Sequence, residues 1–297
     1  MKAKRKPMET MEDRVFNVVV SIIAFMAAAL TLYPLIYVLS ASISDPYDII
    51  AGRVWLYPIN INFEGYRTVM QNDRIWRGFY NSVIITGGGT LINLFVTIIA
   101  AYPLSRRDLK IRKPILFMFT FTILFSGGMI PTYLLIRDLG LLNSRWSLIL
   151  PGAMSVFNFM IVRTFFMNTL PGELLESAKM DGCSDFRFLW SIALPLSTAV
   201  IAVISLYYAV AHWNAFFNAI LYIRDQRLHP LQVVLREILI LNMTEQLTEG
   251  TTRSETMYLA EQMKYSLIVL SSIPLLAAYP FVQRYFVRGV MIGAIKG

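Results

Sequence analysis

Long runs of uncharged, mostly apolar residues alternate with short charged segments along the whole chain. A helix that crosses the hydrocarbon core of a bilayer needs roughly 17–25 such residues. Six runs of at least 17 residues contain no Asp, Glu, Lys or Arg: 15–44, 78–105, 114–136, 146–162, 188–223 and 265–283. The pattern therefore predicts an all-α, polytopic membrane protein with six transmembrane helices.

The fifth run is long enough to hide a second crossing, but its last part, from His212 to Asn218, is amphipathic, so we expect one span there. The six spans form one domain over residues 15–283, between a segment 1–14 and a tail 284–297. In the segment between the fifth and sixth runs, apolar residues recur at steps of three and four, which predicts an amphipathic helix. These residues are Leu231, Val234, Leu235, Ile238 and Leu239.

Composition and charge agree with a membrane location. The chain is 56% hydrophobic and 15% charged, whereas soluble domains carry about 25% charged residues. With the N-terminus inside, the inner segments are 1–14, 105–113, 163–187 and 284–297, and the outer segments are 45–77, 137–145 and 224–264. The inner segments hold 16 of the 27 Lys and Arg and 8 of the 19 acids, so the whole net charge of +8 lies on one side. This bias places both termini in the cytoplasm, at the cytoplasmic (inner) membrane. A nucleic-acid footprint would instead gather the charges on one folded face with aromatic or polar readers.

The sequence shows no catalytic or nucleotide-binding signature. It contains no GxxxxGK[ST], HExxH or GxSxG pattern. His212 and His229 have no second ligand at metal-binding spacing, so we expect a packing or interfacial role for them and no metal site. The single Cys183 excludes an internal disulfide. No acid lies in any of the six runs, which argues against a proton-driven transporter because its relay needs an intramembrane carboxyl group.

Neutral polar residues within the spans leave two interpretations open. They either line a polar path or form hydrogen bonds between helices, and the second is favoured for each of them. The candidates are Thr120, Thr122, Ser126, Ser155 and Asn158. The triplet Gly87–Gly89 lies at membrane depth, so it predicts close packing of helices and not a phosphate-binding loop.

The polar interval after the fourth span predicts a short surface helix from Gly172 to Asp181. Acids at Glu173 and Glu176 suit the first turns of a helix. Gly182 allows a sharp turn after the helix, and Pro195 lies inside the next span. An ordinary amphipathic surface helix is one interpretation of this segment. The alternative, an element that another protein pushes, is favoured by the spaced pattern Glu-x-Ala, three residues, Gly, nine residues and Ile-x-Leu-Pro.

This spacing resembles the EAA loop of permease subunits in ATP-binding-cassette (ABC) importers, E-A-A-x(3)-G-x(9)-I-x-L-P. Every spacing from Glu176 to Pro195 matches, and Ser177 stands where Ala is usual. Further segments look like carbohydrate-importer permeases of the MalG kind, closest to the subgroup for complex oligosaccharides and polysaccharides. They are Trp213-Asn214, Pro230 to Gln232, Tyr279 to Phe286, Gly289, Gly293 and Lys296-Gly297.

The resemblance implies a type I ABC importer permease fold and a division of labour between subunits. ATP and Mg²⁺ would bind to a separate ATPase, so this chain would hold no cofactor and no catalytic residue. The expected partners are two ATPase copies, a second homologous permease subunit and an extracytoplasmic solute-binding protein. The residues implied in ATPase coupling are Glu176, Ser177, Ala178, Asp181, Gly182 and Pro195, with a tail of Arg288, Gly293 and Lys296 facing the ATPase.

Two other classes remain open. An ABC permease for amino acids or peptides shares the EAA logic, although the Trp-Asn and C-terminal signatures favour sugar. A membrane enzyme or a scaffold without transport is the other alternative. An enzyme would need a nucleophile or paired acids, and the only such pair near the predicted surface helix, Asp181 and Asp185, has no histidine beside it. The sequence assigns no substrate-binding residue, and an acidic fragment such as alginate or pectin is one candidate cargo within the subgroup.

Overall fold

The computed structural model describes residues 10–248 and 254–294, with side chains at 10–240, 261–281 and 283. Within these ranges the chain is helical with irregular connections and has no β-strand, as predicted for an all-α protein. The α-helices are α1 (Met11–Ser42), α2 (Pro46–Ile50), α3 (Glu64–Gln71), α4 (Asp73–Ser105), α5 (Arg112–Leu124), α6 (Met129–Asp138), α7 (Trp146–Ile149), α8 (Val156–Thr169), α9 (Gly172–Met180), α10 (Asp185–Phe188), α11 (Leu194–Leu196), α12 (Thr198–Trp213), α13 (Phe217–Tyr222), α14 (Leu231–Thr248) and α15 (Ser254–Ala294).

Three of the described helices are long and apolar enough to cross a membrane: α1, α4 and the Glu261–Phe281 part of α15. Two bent pairs pass the same test. Helices α5 and α6 meet at 115°, and the segment Asp185–Leu196 meets α12 at 84°. Up to five crossings follow from length and composition. The predicted fourth span, the apolar run 146–162, holds the short α7 and the first part of α8, so the count of six stays a prediction.

Glycine and proline account for the breaks within the predicted spans. Gly128, just before α6, has a φ of +84°, a conformation that glycine adopts without steric cost. Pro151-Gly152 separates α7 from α8, and Pro195 precedes the bend at Ser197. In contrast, α1 continues through Pro34. The apolar pattern therefore did not show where the backbone changes direction within the predicted spans.

The described residues divide into two compact units, one within Met1–Gln71 and Leu241–Ser271 and the other within Asn72–Ile240 and Ser272–Gly297. In the first unit, Gln262 on α15 is fully buried. Its amide nitrogen donates to the carbonyl oxygens of Ser44 (3.0 Å) and Asn62 (2.7 Å), and its oxygen accepts from the Gly65 N–H (3.1 Å). A side chain at Gly65 would meet Gln262 Cγ at 2.9 Å, so this contact needs glycine.

The second unit is built around α4, which packs against α8 and α12. Buried apolar side chains fill the space between them: Ile98, Ala101, Tyr102, Leu104, Phe159, Val162, Phe166, Val200, Ile204 and Tyr208. Polar contacts join the same helices within this core. The Thr97 and Tyr208 hydroxyl groups lie 2.7 Å apart, and Tyr208 Oη also accepts from the Ser155 N–H at 3.1 Å.

The glycine triplet of α4 contributes to this packing through one of its members. A Cβ atom on Gly89 would lie 2.5 Å from His212 Nε2, whereas Gly87 and Gly88 have nothing within 4 Å of such an atom. The prediction of close packing therefore holds for Gly89 among the contacts described. His212 is buried, and its Nε2 lies 3.2 Å from Asn93 Nδ2. This polar contact between two helices agrees with the packing role expected for His212.

The loop before α7 and the loop after α13 are both bound to Asn81 of α4. Asn81 Nδ2 donates to the carbonyl oxygens of Arg227 and His229 (2.8 and 3.0 Å), and Asn81 Oδ1 accepts from Arg145. Helix α14 follows where the three- and four-residue steps predicted one, and it buries Leu231, Val234 and Leu235 together with Val233.

Candidate functional site

The surface helix predicted from Gly172 to Asp181 is present as α9, which runs from Gly172 to Met180. It presents two different faces. Glu176 and Ser177 are exposed, whereas Ala178 is buried and Leu174 and Leu175 are half-buried. A small residue at 178 lets the helix backbone lie close to the core beneath it. The exposed acidic face is left available to a partner.

Helix α9 ends in a turn that Gly182 makes possible. The Gly182 N–H donates to the Lys179 carbonyl oxygen (3.0 Å), and the Cys183 N–H donates to that of Ala178 (2.9 Å). This pair of bonds is the Schellman motif, which satisfies the last carbonyl groups of a helix and requires a left-handed residue. Gly182 supplies it with a φ of +75°. Asp181 is the capping residue just before this turn, and it is exposed.

The chain does not enter a straight membrane helix directly after this turn. It first forms α10, a π-helical turn at Leu189–Ala193 and α11, which carries Pro195. Proline lacks an N–H and clashes with the carbonyl group four residues earlier, and a π-helical turn relieves that conflict. Thus the 84° bend into α12 occurs at Ser197, after Pro195, and the straight helix begins later than the predicted start of the span near Phe188. We call Gly172–Leu196 the coupling segment.

The buried side of the coupling segment rests on the end of α4. Phe188 stacks on Tyr102 with ring centroids 6.2 Å apart and an interplanar angle of 27°. Phe166 of α8 meets the other side of Tyr102 edge-on at 6.2 Å. Ala178 and Ala193 belong to the same buried cluster. Offset aromatic pairs of this kind contribute roughly 0.5–1.5 kcal/mol beyond the area they bury.

Charged residues form a second connection between the coupling segment and α4. Arg106, just after α4, donates to both carboxylate oxygens of Asp108 (2.6 and 3.0 Å) and to the carboxylate of Asp185. Lys179 Nζ lies 3.7 Å from Asp185 Oδ1. The hydrogen bonds from Arg106 lower the pKa of Asp108, and those to Asp108 raise the pKa of Arg106. Sequence reasoning missed Arg106 as a site residue because its only signal was membership in a run of basic residues.

The hydroxyl groups of the other polar residues singled out from the sequence bond within their own segments, not to a neighbouring helix as we expected. The Thr120 and Thr122 hydroxyl groups donate to carbonyl oxygens within α5 (2.9 and 2.7 Å). Ser126 Oγ accepts from the Gly128 N–H. Ser155 caps α8 by accepting from the N–H of the buried Asn158 at 3.4 Å. Such bonds satisfy the hydroxyl groups locally, so the described contacts assign these residues to no path.

Of the tail residues implied in ATPase contact, Arg288 and Gly293 lie within α15, but their side chains are outside the described residues, as is the whole of Lys296. His229 is buried between the loop after α13 and α14. Its Nδ1 lies 3.2 Å from Glu237 Oε1, and its Nε2 lies 3.3 Å from the Ile223 carbonyl oxygen. His229 therefore joins two elements of the fold, and it has no second His or Cys beside it among the described residues.

Known proteins share both the sequence and this fold. Over 287 residues the chain is 40% identical to the polygalacturonan/rhamnogalacturonan transport system permease protein YtcP of Bacillus subtilis strain 168, which covers 97% of this chain and 100% of that protein. The chain belongs to the permease subunits of carbohydrate-importing ABC transporters. A second relative, the protein LplC of the same organism, is 41% identical over 288 residues, or 97% of each chain. No protein-family model matches the chain.

Solved structures agree with this family. The crystal structure of a bacterial ABC transporter involved in the import of the acidic polysaccharide alginate matches with a TM-score of 0.84 and 32% identity over 95% of this chain and 100% of that one. A bacterial alginate ABC transporter in complex with an alginate pentasaccharide-bound periplasmic protein matches in fold alone, with a TM-score of 0.58 and 15% identity. The resemblance expected from the sequence is thus confirmed. As a permease the chain is not itself an enzyme, and ATP hydrolysis belongs to a partner ATPase.

Proposed function

We propose that this permease carries an acidic oligosaccharide or polysaccharide fragment across the cytoplasmic membrane by alternating access. The relatives support such a cargo, because YtcP is named for polygalacturonan and rhamnogalacturonan and the matched crystal structure for alginate. The charge pattern supports it too. No Asp or Glu lies in any of the six apolar runs, so an acidic polymer would meet no like charge along them.

The coupling segment is, in this proposal, the place where the ATPase acts. The observation that carries the proposal is that α9 exposes Glu176 and Ser177 while Ala178, Phe188 and the Gly182 turn hold it against the end of α4. An exposed carboxylate in that position suits a basic group of the ATPase, and a helix held on both sides of a turn moves as one body with its support. ATP binding can drive such a movement only by favouring one conformation over the other.

The expected partners are two ATPase copies, an extracytoplasmic solute-binding protein and a second homologous permease. One feature of the fold supports the second permease. The break between α5 and α6, residues 125–128, lies in the middle of the third apolar run, and all four of its residues are exposed in the isolated chain. Irregular backbone at membrane depth is tolerated only where protein covers it or where it lines a water-filled cavity. A second subunit on this face provides either environment.

ATP and Mg²⁺ belong to the ATPase copies in this assembly. Both termini of the permease lie in the cytoplasm, and the tail carrying Arg288, Gly293 and Lys296 extends toward the ATPase. The excess of Lys and Arg in the inner segments supports this orientation of the termini. The position of the tail is implied by the family resemblance.

Reconstitution tests the proposed function. The permease is coexpressed with its partner permease and ATPase, purified, and placed in proteoliposomes with the solute-binding protein. We expect ATP-dependent uptake of labelled oligogalacturonide or alginate oligosaccharide and little uptake of a neutral oligosaccharide of equal length. Preference for the neutral sugar would remove the acidic cargo from the proposal, and the absence of ATP-dependent uptake of any sugar would contradict transport.

A charge reversal tests the coupling role. Glu176→Lys should abolish copurification of the ATPase or leave it bound without ATP-driven uptake, since a basic partner group would now be repelled. Glu64→Lys, which reverses an exposed acid in the predicted outer loop, is the matched control and should leave ATPase binding unchanged. Full ATPase binding together with full uptake by Glu176→Lys would rule out the assigned role of this residue.

A further inference from the structure

Arg106 is a largely buried cation at the junction of α4 and the coupling segment. Its side chain is 14% exposed, whereas those of its partners Asp108 and Asp185 are 63% and 54% exposed. A guanidinium group can donate up to five hydrogen bonds in a fixed planar arrangement. Arg106 uses this geometry to hold two carboxylates that are 77 residues apart in sequence, 108 and 185.

Asp185 extends the contact of Arg106 to α9. It is the first residue of α10, and Lys179 in the last turn of α9 lies 3.7 Å from the same carboxylate oxygen that faces Arg106. The three side chains therefore form a chain of alternating charge from α9 through α10 to the end of α4. Asp108 belongs to the same connection as Arg106. Lys179 acts on it only through a minor Coulombic interaction, whereas Lys179 forms an ion pair with Asp185.

Apolar packing joins α9 to the end of α4 on one side only, where Ala178 lies in the buried cluster with Tyr102. On the other side a cavity of about 580 Å³ is lined by Glu176 and Lys179 of α9 together with Ser105 and Arg106. The charged chain is therefore the polar connection on the cavity side, beside the apolar contact of Ala178 and the aromatic contact of Tyr102 and Phe188.

The backbone of Arg106 is itself firmly anchored. Arg112 Nη1 donates to the Arg106 carbonyl oxygen (3.2 Å), and the Arg106 N–H donates to that of Pro103 (3.2 Å). Close by in the chain, the Leu104 carbonyl oxygen accepts from Arg163 Nε of α8 at 2.9 Å. A pull on the Arg106 side chain is thus resisted by contacts from α5 and α8 and is passed to α4 as a whole.

We propose that Arg106 and Asp185 are positioning residues that transmit the displacement of the coupling segment to α4. Asp185 is at one of the nine unspecified positions between Gly182 and Ile192 of the motif, and Arg106 lies outside the motif. The proposal rests on the proposed function, because it assigns a role within ATP-driven transport. Its specific content is that removing this ion pair separates hydrolysis from movement of cargo without detaching the ATPase.

The test uses the complete complex in proteoliposomes and measures uptake and ATP hydrolysis in the same preparation. Asp185→Asn keeps the shape of an exposed side chain, so it tests the charge with little risk to folding. We expect the variant complex to keep its bound ATPase and to hydrolyse ATP at the normal rate. Uptake per ATP should fall by about fivefold or more, since fivefold is the lower end of the effects that one coupled site has on another. Arg106→Gln should act alike, and Arg106→Lys should recover part of the loss.

Asp108→Asn is the matched control, because it removes an equally exposed Arg106 partner that lies in the same connection as Arg106. It should change uptake per ATP by less than about twofold, below the range of couplings between linked sites, because the contacts of Asp185 with Arg106 and Lys179 remain in place. The double variant Arg106→Gln/Asp185→Asn should lose no more uptake per ATP than the more impaired of the two single variants, since both changes remove the same interaction. Unchanged uptake per ATP in Asp185→Asn, or an equal loss in Asp108→Asn, would overturn the proposal. Failure of the unaltered complex to take up sugar would instead contradict the proposed function.

Discussion

Replacing Gly182 with valine should uncouple this permease from its ATPase while leaving its insertion in the membrane intact. The residue has a φ of +75° and no atom within 4 Å of where a Cβ would lie, so the cost of a side chain is conformational and not steric crowding by neighbours. A left-handed conformation costs a residue with a Cβ roughly 1–2 kcal/mol. This corresponds to a shift of about 5- to 30-fold away from the turn, because each 1.4 kcal/mol is tenfold in an equilibrium constant.

Substitutions of Gly182 by residues that differ in how readily they adopt positive φ should form a graded series. Asparagine adopts this conformation most readily after glycine, so Gly182→Asn should retain most of the uptake. Gly182→Ala should lose an intermediate share, and Gly182→Val the most, because a β-branched side chain is the least tolerant of positive φ. The assay is ATP-driven sugar uptake by proteoliposomes, normalised to permease, with ATPase copurification measured in parallel.

Gly140 provides a close control for this series. It has a φ of +69°, open space within 4 Å of where its Cβ would lie, and the same pair of terminating hydrogen bonds after α6: Gly140 N–H to Arg137 O (2.9 Å) and Leu141 N–H to Ile136 O (3.1 Å). Gly140→Val should therefore impose similar strain in the predicted outer segment and leave ATPase binding and uptake near normal. Equal losses at both glycines, or normal uptake by Gly182→Val, would contradict the role assigned to the Gly182 turn.

Two further predictions concern the packing of α4. Gly89→Ala should lower thermal stability in detergent, because its Cβ would lie 2.5 Å from the buried His212 ring and overpacking costs about 1–3 kcal/mol. Gly88→Ala has open space and should be neutral or up to about 1 kcal/mol more stable, owing to helix propensity, so equal melting temperatures would contradict the assigned contact. Thr97→Val should cost about 1–3 kcal/mol by leaving the Tyr208 hydroxyl without that partner. Thr97→Ser should retain the bond, and an equal loss in both variants would argue against it.

The coupling segment was predictable because its signals are local in sequence. Pairs of residues a few positions apart determine where a short helix begins, where Gly182 turns the chain and where Pro195 disturbs the next helix. The support beneath it was not predictable in the same way. Tyr102 and Arg106 lie far earlier in the chain, and in the sequence they are an aromatic residue at the end of an apolar run and one basic residue in a cluster.

Hydropathy likewise measures composition and not the direction of the backbone. An apolar run reads the same whether its helix is straight or bent, so the breaks before Gly128, at Pro151-Gly152 and at Ser197 became visible only in the structure. The same limit applies to polar residues within the spans. Serine and threonine can bond to their own helix or across to another, and Thr120 and Thr122 take the first course, whereas Thr97 takes the second.

The position of α4 gives these separate contacts a common mechanical consequence. This helix has 33 residues, which at 1.5 Å per residue amounts to about 50 Å. Near one end it is joined to the coupling segment through Tyr102 and Arg106, and near the other Asn81 holds the loop that carries Arg227. No proline interrupts it before Pro103, so between these contacts α4 has an unbroken ladder of backbone hydrogen bonds. A displacement at Arg106 therefore moves the whole of α4 and so reaches the loops at its far end. How far the movement is transmitted thus depends on the contacts of α4 and not on the exposed acidic face of α9.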